Sequence, residues 1–333
     1  MTGKERYVGM MRGERVDFIP RVPILMQFAA DYIGSNYGAF ASDYRVLVEA
    51  NLRCAGDFGM DQVSAISDPY RETQGFGAEI EYQLDAVPRC LQPPLEDMRD
   101  LASLPDPDPE VADRMRDRLE AVREFKRNAG DRYSILGWVE GPAAEAADLR
   151  GVTNFLMDTV DDEGFVGELM DRCLDVAIRF ARAQIEAGAD TVGIGDAIAS
   201  QCSPDLYERL VLPRERRLVD AIRQAGGWAK LHICGNITHL LPGIGELEPD
   251  ILDVDHMVDM AAVRRAVGDG VVITGNLDPV GAVYEGSPAD IEAAVRRVFE
   301  TVGLPYMVNA GCEIPSGTPN ENLKALCSPL SVD

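Results

Sequence analysis

The chain alternates between short apolar segments and longer segments whose apolar residues recur with a helical period. Eight apolar segments have the length of buried strands, and they cover residues 20–25, 62–66, 133–138, 191–195, 229–233, 251–254, 271–274 and 306–309. Amphipathic stretches at 163–187, 204–225, 260–267 and 288–302 separate the later ones, and we predict these to be helices. Strand–helix alternation repeated in this way favours a closed parallel barrel over an open sheet.

The glycine and proline residues between the segments add detail to this prediction. Several predicted helices end in glycine, as in EAGAD, RQAGG and FETVGLP, which is typical of a helix that stops before an αβ loop. Residues 69–109 break the alternation, because 78–87 predict a β-ribbon and LPDPDPE a proline-rich loop. We therefore predict an α/β protein: a (β/α)₈ TIM barrel in a single domain, 1–333, with an N-terminal helical extension over residues 1–18 and a β-ribbon insertion after strand 2.

Charge and cysteine content restrict the classes of function. The chain carries 56 acidic and 32 basic residues, for a net charge of −24, so nucleic acid and anionic membranes are not expected as partners. It has no long apolar run, and its start, MTGKERYVGMMRGERVDF, lacks the apolar core of a signal peptide; we expect a cytoplasmic location. The seven cysteines, an odd number, are typical of reduced thiols rather than of a disulfide framework.

Three soft metal ligands occupy predicted strand ends. His232 and Cys234 in LHICGN are two residues apart, so both side chains point to the same face of an extended strand. Cys312 in NAGCEIP follows the eighth predicted strand. The carboxyl ends of all barrel strands meet at one mouth, and zinc prefers nitrogen and sulfur ligands. We therefore predict one zinc ion per chain held by these three residues. A lone H-x-C motif is otherwise more often a buried histidine beside an inert cysteine.

Further polar residues end the predicted strands. Glu140, Asp196 and Asp255 are candidate catalytic residues, and Asp68 and Asn276 are candidate substrate-binding residues. Each alone could equally cap the helix that follows its strand. Five such residues at one mouth exceed what capping requires.

These motifs resemble those of the uroporphyrinogen decarboxylase superfamily. The matching stretches are VEGP at 139–142, the segment 184–213, LHICGN at 231–236, ITGNLDP at 273–279 and the segment 309–326. Decarboxylases of this superfamily carry an arginine-rich stretch near the N-terminus and lack H-x-C. The corresponding stretch here, PILMQFAADYIG, has no arginine. The resemblance is therefore to the zinc-containing, corrinoid (cobamide)-dependent methyltransferases of the superfamily.

The resemblance implies transfer of a methyl group between a small substrate, such as a methoxy compound or a thiol, and the corrinoid of a partner protein. The chain has no D-x-H-x-x-G cobalamin motif of its own. More distant barrel relatives, the cobalamin-independent methionine synthases, add a glutamate to the same ligands, and Asp255 lies near its place as a possible fourth ligand. Two other functions remain open: a metal-free decarboxylase, and a non-catalytic barrel stabilised by zinc.

Overall fold

A computed structural model describes residues 1–332 of the chain. Within them, nine strands are formed: β1 Gln62–Ser64, β2 Glu79–Glu81, β3 Arg89–Gln92, β4 Ser134–Glu140, β5 Thr191–Gly195, β6 Trp228–Ile233, β7 Ile251–Val254, β8 Val272–Gly275 and β9 Tyr306–Met307. Seven of them form one parallel sheet in the order β1-β4-β5-β6-β7-β8-β9, and β2 pairs with β3 in an antiparallel ribbon. The strand order follows the chain order, as in a TIM barrel.

The helices connect these strands and cover the sheet. Their bounds in the described part of the chain are α1 Gly3–Met11, α2 Gln27–Tyr32, α3 Tyr37–Ser42, α4 Tyr44–Phe58, α5 Arg71–Gly75, α6 Asp113–Ala129, α7 Pro142–Arg150, α8 Val152–Asp161, α9 Glu163–Ala187, α10 Pro204–Leu206, α11 Leu212–Gln224, α12 Leu241–Leu247, α13 Met260–Val267, α14 Pro288–Val302 and α15 Asn320–Leu326. A π-helical turn, Tyr207–Val211, joins α10 to α11. Among residues 1–332, none of these helices is both long enough and apolar enough to cross a lipid bilayer.

The sequence patterns locate the helices well. The predicted bounds of α9, α13 and α14 agree with the structure, and the stretch 204–225 corresponds to α10, the π-helical turn and α11. Glycines follow α9 and α14 at Gly188 and Gly303, where φ is 120° and 63°. These backbone angles favour glycine, because a side chain would be strained there.

The predicted first strand, residues 20–25, is not a regular strand. It lies between β9 and β1, where the backbone N–H of Val22 donates to the Val308 carbonyl at 2.8 Å and Asp61 N–H donates to the Arg21 carbonyl at 2.9 Å. Pro20 and Pro23 supply no N–H donors, so a continuous ladder cannot form. The segment therefore bridges the two edge strands of a TIM-barrel-like sheet through isolated contacts.

The two predicted additions to the barrel differ in extent from the structure. The N-terminal helix α1 is shorter than predicted, and it packs at the amino end of the strands, where the Lys4 backbone N–H donates to the Arg132 carbonyl at 2.8 Å. The ribbon comprises β2 and β3, so its second strand lies beyond the predicted segment 78–87. It follows β1, which is the second of the predicted strands.

Candidate metal centre and active site

One row of side chains crosses the interior of the sheet. In the parallel register Glu140 is paired with Gly195, and Gly195 with His232. The row continues from His232 to Asp253 and from Asp253 to Thr274. Paired residues of neighbouring parallel strands point to the same face of a sheet. Glu140, Gly195 and His232 all line a cavity at the carboxyl ends of the strands, so the row faces the barrel interior.

His232, Cys234 and Cys312 form a compact cluster at this cavity. The Nε2 atom of His232 lies 3.0 Å from the Sγ atom of Cys234, and the ligand atoms of all three residues lie within 4.8 Å of one another. Tetrahedral zinc with ordinary bond lengths holds such atoms about 3.5–3.8 Å apart. The spacing and the chemistry of the donors therefore fit a zinc ion.

Burial and mutual contact set the protonation of the cluster. The hydrogen bond with Cys234 lowers the pKa of the Cys312 thiol to about 4, whereas the same contact and burial raise the pKa of Cys234. Burial alone would lower the pKa of His232, but the Cys234 sulfur and Asp253 raise it. The cluster thus already favours a thiolate, which is the form that binds a cation.

Asp253 contacts the ring nitrogen of His232 that Cys234 does not contact, and it does not line the cavity. Its Oδ2 atom is 3.2 Å from Nδ1 of His232 and 3.0 Å from Nζ of Lys230. Its Oδ1 atom accepts hydrogen bonds from Asn309, at 2.9 Å, and from the Thr274 hydroxyl. A carboxylate in this place fixes the orientation of a ligating imidazole and makes the ring a better ligand.

The cavity beside the cluster has a volume of about 150 Å³ and largely apolar walls. Trp138 forms one wall, and the glycines of β5 make room for it. A Cβ atom on Gly193 would lie 2.2 Å from the indole of Trp138, and one on Gly195 would lie 3.0 Å from it. The VGIG sequence of β5 therefore determines the shape of this wall.

Asp68 and Glu140 also line the cavity, and each is paired with a buried arginine. Asp68 Oδ2 accepts from Arg114 at 2.5 Å, and Glu140 Oε1 accepts from Arg71 at 2.5 Å. Burial opposes ionisation of Asp68, but Arg114 and Arg71 lower its pKa to about 2. For Glu140 burial dominates and raises the pKa well above its usual value.

The other three candidates lie outside the cavity wall. Asp196 is fully buried and accepts from the backbone N–H of Ala144 at 2.7 Å, in the first turn of α7. Asp255 accepts from the backbone N–H of Gly235 at 2.6 Å, directly after Cys234. Asn276 donates to the Val258 carbonyl at 2.8 Å. Each contacts the backbone of a neighbouring loop or helix.

Sequence reasoning overlooked Lys230, Asp253 and Glu313. Lys230 and Asp253 are charged residues within short apolar strands, and a charge buried in this way needs a partner. That signal was present in the motifs AKLHI and ILDVDH. Glu313 follows Cys312, lines the cavity and accepts from the Gln27 backbone N–H at 2.8 Å. Nothing in its sequence context distinguishes it from an exposed loop residue.

The chain is similar to known proteins over nearly its whole length. The family profile described as uroporphyrinogen decarboxylase (URO-D) matches residues 2–330. The chain belongs to the uroporphyrinogen decarboxylase family. Its relatives include methylcobamide:CoM methyltransferase MtbA of Methanosarcina mazei, which is 30% identical over 98% of this chain and 96% of that protein. Uroporphyrinogen decarboxylase of Gloeobacter violaceus is 27% identical, with 92% of each chain covered.

Solved structures agree on the fold of this family member. A methyltransferase from Methanosarcina mazei superposes with a TM-score of 0.90 at 24% identity, covering 98% of this chain and 97% of the other. A B12-independent methionine synthase from Shewanella sp. W3-18-1 superposes with a TM-score of 0.57 at 13% identity, covering 93% and 94% of the two chains. The family match and the relatives with 30% identity confirm the predicted family and its methyltransferase branch, and the solved structures agree with the predicted fold.

Proposed function

We propose that this family member is a zinc-dependent methyltransferase that moves a methyl group between a small substrate and the corrinoid of a partner protein. The observation that carries the proposal is the His232, Cys234 and Cys312 cluster, which borders a cavity and has a carboxylate behind its imidazole. The substrate is a methoxy compound or a thiol, and the direction of transfer depends on which of them binds.

Each residue of the site has a separate role in this proposal. His232, Cys234 and Cys312 would hold the ion, and Asp253 orients the imidazole. When bound, zinc favours the thiolate form of a substrate thiol, or draws charge from an ether oxygen as a Lewis acid. Asp68 and Glu140 contact the substrate from the cavity wall. Asp255 positions the Cys234 loop through Gly235.

The ligand set supports a catalytic site rather than a structural one. Structural zinc sites usually close with four protein ligands, whereas catalytic sites leave one position for substrate. Among residues 1–332, the cluster of metal-ligand side chains contains three members. Asp255, the possible fourth ligand, instead contacts Gly235 and His256 with its two carboxylate oxygens.

A corrinoid protein is the proposed partner. The relatives with 30% identity are named for methylcobamide as a substrate, and the 333 residues of this chain contain no D-x-H-x-x-G motif. We infer that the cofactor arrives on another protein, which docks at the barrel mouth. Purified protein should therefore transfer methyl groups only when a corrinoid protein or free cobalamin is added.

The second candidate function is a metal-free decarboxylase, because some relatives are named as uroporphyrinogen decarboxylases. Metal analysis distinguishes the two functions. We expect about one zinc per chain in the wild type and loss of zinc in His232→Ala, Cys234→Ser and Cys312→Ser. Cys90→Ser is the matched control, because Cys90 lies on the β3 ribbon outside the cluster. Full zinc retention in all three cluster variants would exclude the site, and turnover without any corrinoid would exclude the proposed reaction.

A further inference from the structure

The charges around the cavity restrict which small molecule can enter it. The polar side chains in its lining, apart from the metal cluster, are Asp68, Glu140 and Glu313, and among the described residues no lysine or arginine lines it. The buried cations nearest to the lining acids, Arg71 and Arg114, point at those carboxylates rather than into the cavity. The wall therefore offers no cation that is free to receive an anionic group.

Carboxylates outnumber cations in the layer behind this wall as well. Glu72, Glu145 and Asp148 lie close to Glu140, and burial raises the pKa of each. Burial therefore already disfavours negative charge in this layer. An anionic substrate group buried against the wall would meet the same penalty, whereas a neutral group would not, and a cationic group would find carboxyl partners there.

The loops that form the mouth of the barrel also lack basic residues. Five segments that follow the later strands contain no lysine or arginine, and these are 195–203, 233–241, 254–260, 275–286 and 309–320. The segment 23–36, which precedes β1, contains none either. The same segments carry acidic residues, among them Asp31, Asp259 and Asp278. A substrate with a negatively charged tail would find no ion-pair partner along this entry.

We propose that the small-molecule substrate carries no negative charge: it is a neutral or cationic methyl donor or acceptor. The inference rests on the proposed function, and it separates this chain from relatives whose names specify CoM, a thiol with a sulfonate group. The apolar walls contact the methyl-bearing part of the molecule. Asp68 and Glu140 receive its hydroxyl or ammonium group.

Three thiols with the same two-carbon chain test the proposal: cysteamine is cationic, 2-mercaptoethanol is neutral and 2-mercaptoethanesulfonate is anionic. Each is offered to the zinc-loaded protein with free methylcobalamin. In the reaction the sulfur–carbon bond forms as the cobalt–carbon bond breaks, the electron pair stays on cobalt and the thiol proton goes to solvent. Dividing each rate by the protein-free rate corrects for intrinsic differences in thiol reactivity. Calorimetric binding of each thiol, without methylcobalamin, gives a second readout.

We expect the cationic and neutral thiols to bind at least tenfold more tightly, and to react at least tenfold faster, than the sulfonate. Asp68→Asn removes the partner of Arg114 and should shift this ratio at least fivefold towards the sulfonate. Asp220→Asn on α11 makes the same charge change at an exposed position and should leave the ratio unaltered.

The possible results distinguish a failure of this inference from a failure of the proposed methyltransferase function. Preference for the sulfonate, in binding or in rate, would overturn the inference and leave the methyltransferase function intact. An unchanged ratio in Asp68→Asn would also overturn it, since the wall charge would then have no effect. Binding in the expected order without any methyl transfer would support the inference while contradicting the proposed function.

Discussion

The role of Asp253 gives the sharpest test of how the metal cluster is built. This carboxylate is fully buried and contacts Lys230, His232, Thr274 and Asn309. Burial opposes its ionisation, but Lys230 and His232 hold the pKa of Asp253 well below its usual range. The substitution Asp253→Asn keeps the shape of the side chain and removes its charge. Two separate consequences follow from the contacts.

The first consequence is a loss of stability. Lys230 is 1% exposed, so Asp253→Asn leaves a buried ammonium without its carboxylate. Removing one partner of a buried ion pair typically costs ~3–5 kcal/mol. The second consequence concerns His232, which loses the group behind Nδ1. Such changes typically weaken metal binding ~10–100-fold, equivalent to about 1.4–2.8 kcal/mol.

The double variant Asp253→Asn/Lys230→Met separates these two effects. It removes both charges, so most of the lost free energy of unfolding should return, whereas zinc affinity should stay ~10–100-fold below wild type. Urea unfolding measures stability, and competition with a chromophoric chelator measures zinc affinity. Recovery of zinc affinity along with stability would refute the reasoning, because Asp253 would then act only as the partner of Lys230. Unchanged stability in the single variant would refute the buried-pair argument.

Three further predictions concern the other acidic residues. Asp255→Ala should weaken zinc binding roughly tenfold in a chelator competition, because the loop of Cys234 and Gly235 loses its anchor. Asp68, whose pKa is lowered from 3.8 to about 2, stabilises the fold above its unfolded pKa, and this contribution disappears as pH falls through the folded value. The unfolding free energy of wild type should thus exceed that of Asp68→Asn by roughly 2.5 kcal/mol at pH 6, with the gap closing between about pH 4 and 2. Asp196→Asn should retain wild-type turnover, because Asp196 contacts α7 and does not line the cavity. It should lose about 1 kcal/mol or less in thermal unfolding, because burial raises the pKa of Asp196 to about 7 and so already disfavours its charged form. A tenfold drop in turnover would instead indicate a catalytic role.

The helices and most strands could be predicted from the sequence because their periodicity is local. The segment 20–25 shows where local reasoning stops. Its apolar residues are buried as predicted, with Val22 and Ile24 each 3% exposed. Whether it forms a ladder depends on partners far along the chain and on Pro20 and Pro23, which cannot donate. The pattern predicted its burial correctly but not its hydrogen bonding.

The clustering of His232, Cys234 and Cys312 was predictable because histidine and cysteine are rare in this chain and these three residues lie at strand ends. The cavity walls were not, since their polarity depends on contacts between distant residues. From the sequence alone, Arg71 and Arg114 could each bind an anionic substrate. In the structure both are buried against carboxylates. The side on which Asp196 and Asp255 lie was equally hidden, because strand ends alone do not give side-chain direction.

The face of the sheet to which each side chain points becomes predictable once one residue is known to point into the barrel. In parallel strands, residues in register share a face and neighbours alternate. Taking His232 as inward places Gly195 inward in β5, and Glu140 inward in β4. Asp196 follows Gly195 and must then point outward, where its carboxylate meets α7. On the other side of β6, His232 is in register with Asp253 of β7, so Asp253 also points into the barrel beside His232. Register counted from the H-x-C motif therefore distinguishes Asp253, which contacts His232, from Asp196, which contacts α7, although both stand near the carboxyl ends of their strands.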